Sequence, residues 1–179
     1  MKSYLSDNNY RLRAPELKDL ELMFQMENTS ELWMCSDVTG PYSKKALEEY
    51  IQRSQNDLFV DHQLRLMVEE KEGAVVGIID LFDFNPMNSR AEVGIAIFPS
   101  HRGKGIGQIA LSLLNDFCFD YLGIHQLYAY IDVDNTICQA VFEACHYKRV
   151  VQIKDWMHGS KKQYRDVWFV QQINPFELS

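Results

Sequence analysis

A glycine-rich turn is the feature of this 179-residue sequence that most constrains its fold. The segment Arg102-Gly103-Lys104-Gly105-Ile106-Gly107 lies between a strand-like run and a long stretch with helical apolar spacing. The first N–H groups of a helix have no intrahelical acceptor, and the helix dipole places positive charge at the same end. Glycine lets the backbone approach a ligand closely, and Arg102 and Lys104 add cationic charge. The sequence therefore predicts a site for a pyrophosphate-like anion at the start of this helix.

Two common phosphate-binding motifs do not match this turn. A P-loop requires a glycine five residues before the Gly-Lys pair, where this chain has Phe98, and a Ser or Thr where it has Gly105. The dinucleotide fingerprint requires a third glycine at the position of Gln108. Neither motif describes the segment.

The spacing of apolar residues predicts an α/β (α+β) fold with a mixed, mostly antiparallel central sheet of about seven strands flanked by helices. The predicted strands are residues 10–14, 64–69, 75–84, 90–98, 126–132, 150–156 and 164–173. The predicted helices are residues 15–27, a helix capped by Ser43, residues 105–121 ended by Gly123, and residues 136–144 capped by Asp134 or Asn135. Since no repeat or linker interrupts this order, we expect one domain over residues 1–179.

Composition and charge argue against several other classes of protein. The formal net charge of −7 argues against a nucleic-acid binder that acts through bulk electrostatics, and it favours cationic partners. No run of about 18 apolar residues predicts a membrane span, and the N-terminus has no apolar signal, so we expect a cytoplasmic protein. The four cysteines and five histidines are scattered, without the spacing of a zinc site, so no metal is expected.

Three segments of the chain resemble one enzyme family. The strand RAEVGIAI, the turn RGKGIGQ with its R-x-x-G-x-G pattern, and residues 135–147 resemble the GNAT family of N-acetyltransferases. The similarity is to the branch that contains the spermidine acetyltransferases and the ribosomal-protein N-terminal acetyltransferases. The resemblance implies the GNAT fold, acetyl-CoA as co-substrate and an amine as acetyl acceptor. It also implies assembly into a homo-oligomer.

The resemblance also implies where the coenzyme lies. The strand that begins at Glu92 would splay away from residues 127–132, and pantetheine would fill the notch between them. A backbone N–H near Ile95 would stabilise the oxyanion of the tetrahedral intermediate. Asn135 has two possible roles: it caps the helix that follows, or it contacts the coenzyme. The implied cofactor-binding residues are Ile95, Ala96, Ile97, Arg102, Gly103, Lys104, Gly105, Ile106, Gly107, Gln108, Asn135 and Phe142.

Carboxylates on the central strands are the candidates for proton transfer and amine binding. The attacking amine must be neutral, so a base or a water chain has to accept its proton. Glu92 matches the glutamate of the family's R-A-E pattern and is the first candidate, and Asp83 is the second. Asp80 and Asp83 point to opposite faces of a regular strand, so at most one reaches the cleft unless a bulge intervenes.

The acceptor is either a polyamine, another small amine or a peptide N-terminus. In polyamine acetyltransferases the loop after the first helix is rich in acidic residues, whereas here residues 36–42 contain only Asp37. The predicted substrate-binding residues are Trp33, Asp80, Asp83 and Glu92, and Trp156 and Tyr164 are candidates for the wall of the same pocket.

The main departure from the family pattern is Phe142. It stands where the family has a tyrosine that protonates the departing thiolate, and phenylalanine cannot donate a proton. We therefore expect slower chemistry, with water, Cys138 or Tyr147 as the donor. The alternative is a coenzyme A-binding module with little or no catalytic activity.

Overall fold

The computed structural model describes residues 3–30, 38–159 and 163–177 and contains a seven-stranded sheet in the order β1-β2-β3-β4-β5-β7-β6. Its strands are β1 Tyr10–Arg13, β2 Leu64–Glu70, β3 Val75–Asn85, β4 Arg90–Ile97, β5 Gln126–Asp132, β6 Lys148–His158 and β7 Tyr164–Ile173. Neighbouring strands are antiparallel, except that β4 and β5 are parallel. The predicted mixed, mostly antiparallel sheet is confirmed.

The helices begin and end largely where the sequence signals predict. They are α1 Leu20–Glu27, α2 Lys44–Arg53, α3 Leu58–Asp61, α4 Ile106–Asp116 and α5 Thr136–Ala144, with 3₁₀ turns at Leu17–Asp19 and Pro99–His101 and a π-helical turn at Phe117–Tyr121. Ser43 caps α2 by accepting a hydrogen bond from the Ala46 amide at 3.1 Å. Helix α3 was not predicted from the sequence, since one turn is too short to show a helical period. No helix in the described ranges is long and apolar enough to cross a membrane.

Helices cover the two faces of the sheet and give it two cores. The larger core packs α4 and α5 on one face, with Leu111, Leu114, Ile79 and Leu127 fully buried. The smaller core packs α1 and α2 on the opposite face and contains Met23, Met26, Leu47, Met67 and Ile78. This division follows from the alternation of side chains along each strand, since Ile78 and Ile79 belong to different cores.

The pairing between β4 and β5 ends halfway along the strands. Only Arg90–Gln126, Ala91–Leu127 and Glu92–Tyr128 are paired, although β4 continues to Ile97 and β5 to Asp132. Beyond the last pair the two strands diverge, so a notch opens between them in the middle of the sheet. The splay expected from the family resemblance is present.

Candidate active site

The glycine turn has the backbone geometry of an anion site. Gly103 and Gly105 both have φ of +77°, and Gly105 is the N-cap of α4. A Cβ at either position would meet no atom within 4 Å, so backbone conformation rather than crowding favours glycine there. Ile106 is buried in the main core and anchors the helix start, while the turn itself is exposed. The first N–H groups of α4 therefore point to solvent beside Lys104.

The turn lies at the mouth of the notch. A Cβ on Gly107 would lie 3.6 Å from Val141 of α5 and 3.8 Å from Ile95 of β4, so these three elements meet there. The Arg102 side chain folds back on the end of β4, where its Nε donates to the Ile97 carbonyl at 2.9 Å. A ligand that spans the turn and the notch would follow this line of contacts.

The backbone of β4 presents alternate amides to the notch. Phe98 donates its N–H to the Val76 carbonyl at 2.9 Å, and β3 and β4 keep a one-to-one register from Gly77 to Phe82. Because hydrogen-bonding groups alternate in direction along a strand, Ile95 and Ile97 direct their N–H groups toward the notch. The Ala96 backbone, which we expected to contact pantetheine, instead completes the ladder with β3.

A β-bulge redirects Asp83. The register between β3 and β4 shifts between Phe82 and Asn85, and Asp83 has a φ of +50°. A bulge inserts one residue into a strand and turns a side chain to the other face. Asp80 and Asp83 therefore do not follow the simple alternation of a regular strand. The hydroxyl of Tyr128 donates to Asp83 Oδ2 at 2.8 Å, so Asp83 lies on the face where Tyr128 and Glu92 form the last pair before the splay.

Asp80 has a different role from the one predicted. Its carboxylate accepts two hydrogen bonds from Arg65, at 2.9 and 2.7 Å, and Arg65 also binds Glu27 at the end of α1. Hydrogen bonds and charge–charge contacts with these two carboxylates raise the pKa of Arg65 despite its burial. Asp80 therefore joins β3 to β2 and α1, and it shares the one positive charge of Arg65 with Glu27.

Tyr128 and Tyr130 are site residues that the sequence reasoning missed. Burial and the hydrogen bond to Asp83 raise the pKa of Tyr128, so it stays a neutral donor. Burial, and then the charges of Glu92 and Asp83, raise the pKa of Tyr130. The Tyr-x-Tyr spacing in β5 was the available signal, because residues two apart share one face of a strand.

Two further rings join these tyrosines. Trp156 stacks on Tyr130 with centroids 5.2 Å apart, and Phe169 lies 5.6 Å from Tyr128 and 5.4 Å from Tyr130. Tyr164, which we expected in the same pocket, instead packs edge-on against His158, with ring centroids 5.8 Å apart. Trp33 lies outside the described residues, as does Asp37.

The notch, the glycine turn and the carboxylates lie within a segment that matches one family description. The model of the acetyltransferase (GNAT) domain matches residues 9–148. This chain belongs to the GNAT family of acetyltransferases. Its donor is therefore acetyl-CoA and its acceptor an amine, which confirms the prediction of an N-acetyltransferase.

Individual relatives agree with the family assignment. The chain is 28% identical to the spermidine N(1)-acetyltransferase of Vibrio cholerae, over 76% of this chain and 77% of that one. It is 29% identical to the Escherichia coli protein of the same name, over 73% and 68% of the two chains. A solved structure of the Vibrio cholerae spermidine N-acetyltransferase in complex with CoA and spermine matches with a TM-score of 0.81 and 24% identity. The match covers 97% of this chain and 100% of that one. The GNAT fold is confirmed.

A buried ring stands at the position that the family resemblance gives to the general acid. Phe142 is 2% exposed and packs edge-on against Tyr147, with centroids 4.8 Å apart. Tyr147 is itself a core residue, and its hydroxyl donates to Asn115 Oδ1 at 2.9 Å. Burial raises the pKa of Tyr147 well above its ordinary value. Tyr147 is therefore not placed to replace the missing acid.

The other two residues from this segment lie at the start of α5. Asn135 is the N-cap, and its Oδ1 accepts from the Cys138 amide at 3.0 Å. Of the two roles considered for Asn135, the helix cap is present in the structure. Cys138 is partly buried against the main core, and its role as proton donor stays a prediction.

Proposed function

We propose that this GNAT enzyme transfers the acetyl group of acetyl-CoA to a primary amine by direct attack in a ternary complex. The observation that carries the proposal is the end of strand pairing at Glu92 and Tyr128. At that point one face holds the carboxylates of Glu92 and Asp83. The glycine turn stands at the mouth of the notch that begins there.

The donor side of the proposal uses backbone groups. The N–H groups at the start of α4, with Arg102 and Lys104, would hold the diphosphate. Pantetheine would lie along β4 and bind the outward backbone groups of Ile95 and Ile97. The Ile95 N–H would then stabilise the oxyanion. Donors of this kind lower the activation free energy by about 3–4 kcal/mol each.

In the proposed reaction the amine nitrogen bonds to the acetyl carbonyl carbon, and the carbon–sulfur bond then breaks. Glu92 accepts the proton that the amine loses, directly or through water. Coenzyme A leaves as a thiolate, which is a tolerable leaving group, and is protonated by water or Cys138 because Phe142 cannot supply a proton. Asp83, held by Tyr128, binds the cationic amine before it loses its proton.

The acceptor remains within the class of primary amines. The names of the relatives favour a polyamine, and the other candidates are another small amine and a peptide N-terminus. The family assignment favours an enzyme over a coenzyme A-binding module without catalysis.

The test is a thiol-release assay with acetyl-CoA and a panel of primary amines. We expect Glu92→Gln to lower kcat by about 10²–10⁴, as for loss of a general base, while the dissociation constant for acetyl-CoA is unchanged. Glu143→Gln is the matched control, since Glu143 pairs with Arg149 at the surface. Wild-type protein that binds acetyl-CoA but acetylates no amine would support the non-catalytic alternative.

A further inference from the structure

An aromatic cluster lies beside the notch, on the face that carries Glu92. Its members are Tyr128, Tyr130, Trp156 and Phe169, and each ring contacts at least one other at 5.2–5.9 Å. Three strands contribute to it: β5, β6 and β7. Aromatic rings of this size bury large apolar areas when a ligand packs on them.

Part of this cluster is open to solvent. Trp156 is 53% exposed, and Tyr130 and Phe169 are half-buried. The helices α1 and α2 cover the neighbouring part of the same face, where they pack on Met67 and Ile78 of β2 and β3. The exposed rings lie beside Tyr128, which forms with Glu92 the last pair before the notch opens.

Carboxylates lie next to the cluster. Tyr128 donates its hydroxyl to Asp83 Oδ2 at 2.8 Å and pairs with Glu92 of the neighbouring strand, and the charges of both carboxylates act on Tyr130. An ammonium group bound between Asp83 and Glu92 would place the rest of the ligand on the exposed rings.

Building on the proposed function, we propose that the acceptor is an arylalkylamine, a primary amine with a flat apolar group. Its amine would lie between Asp83 and Glu92, and its ring would pack on Trp156 beside Tyr130. A flat apolar group gains stacking area on Trp156 and Tyr130, and an aliphatic polyamine has no such group. Trp156 and Tyr130 are then the specificity-determining residues.

The experiment compares kcat/KM for 2-phenylethylamine, n-hexylamine and spermidine with acetyl-CoA in excess. We expect 2-phenylethylamine to exceed spermidine by about tenfold or more. Trp156→Ala should lower kcat/KM for 2-phenylethylamine about tenfold, mainly through KM, as expected for loss of a ring contact. The effect on n-hexylamine should be much smaller, and Trp156→Phe should restore most of the loss.

Tyr164→Ala is the matched control, because Tyr164 is in the same hairpin and is 60% exposed but lies outside the cluster. It should leave all three values unchanged. Preference for spermidine, with Trp156→Ala equal to wild type, would overturn the acceptor class and leave the proposed acetyl transfer intact. Absence of transfer to every amine would instead contradict the proposed function and this inference with it.

Discussion

At the residue scale, the site depends on side chains whose positions differ from a regular strand or from the family pattern. Asp83 reaches the face of Glu92 because a bulge places it at positive φ, a conformation that costs energy for a residue other than glycine. Phe142, which the family resemblance places at the position of the general-acid tyrosine, has no hydroxyl. The chemistry is therefore expected to be limited at the step where the thiolate is protonated.

Phe142→Tyr tests this expectation. A hydroxyl on this ring should raise kcat in the thiol-release assay, because proton delivery by a general acid contributes about 10²–10⁴ in rate. Affinity for acetyl-CoA should change little, and calorimetry checks that. Phe119→Tyr is the control, since it adds a hydroxyl to another buried ring of the main core and should not raise turnover. An unchanged kcat in Phe142→Tyr would mean that thiolate protonation is not limiting.

At the element scale, the turn before α4 combines three features that make a helix start bind anions. Gly105 occupies the N-cap with a left-handed backbone, Ile106 anchors the first turn in the core, and the exposed N–H groups face the mouth of the notch. The strand–turn–helix order predicted this arrangement, since each feature is local in sequence. The splay was expected from the family resemblance.

Gly105→Ala should weaken acetyl-CoA binding. Left-handed backbone costs a residue with a Cβ about 1–2 kcal/mol, so the turn would relax and its N–H groups would no longer converge. We expect a dissociation constant about tenfold higher by calorimetry. Gly123→Ala is the matched control: Gly123 also has positive φ and open space around its Cβ position, but it ends the helical segment after α4. Equal losses of affinity in both variants would contradict a direct role for the turn.

At the scale of the whole molecule, buried ion pairs tie the first strand and first helix to the sheet. Glu69 of β2 is 2% exposed and binds both Arg11 and Arg13 of β1, and Arg13 also binds Asp19 at the start of α1. Hydrogen bonds from Arg11 and Arg13 hold the pKa of Glu69 below its usual value despite burial. These contacts fix the edge of the sheet that supports the acceptor side.

Glu69→Gln should lower the free energy of unfolding by about 3 kcal/mol, because two arginines lose their buried partner. Urea denaturation at neutral pH measures this change. Glu143→Gln removes an exposed ion pair with Arg149 and should lower the free energy of unfolding by less than about 1 kcal/mol. Because the pKa of Glu69 is lowered on folding, its stabilisation is present above about pH 4.3 and is lost as pH falls below that. The difference in unfolding free energy between wild type and Glu69→Gln should therefore decrease as the pH falls below about 4.3. A difference that does not change with pH would contradict a role for the Glu69 ion pairs.

Much of the fold and part of the site could be predicted from the sequence. Periodicity and caps located seven strands and four of the helices, because these signals are local. The partner of Asp80 and the direction of Asp83 could not be predicted, since Arg65 lies on another strand and the bulge depends on pairing with β4. The cluster around Tyr130 was missed because its rings come from β5, β6 and β7 and meet only when these strands pair.

The most direct test of the whole account compares the binding of coenzyme A and pantetheine by calorimetry. Most of the binding energy is expected from the diphosphate at the turn that begins with Arg102. Coenzyme A should therefore bind at least about a hundredfold more tightly than pantetheine, which lacks the diphosphate and the 3′-phosphoadenosine attached to it. Equal affinities, or no heat from coenzyme A at millimolar concentration, would contradict this account.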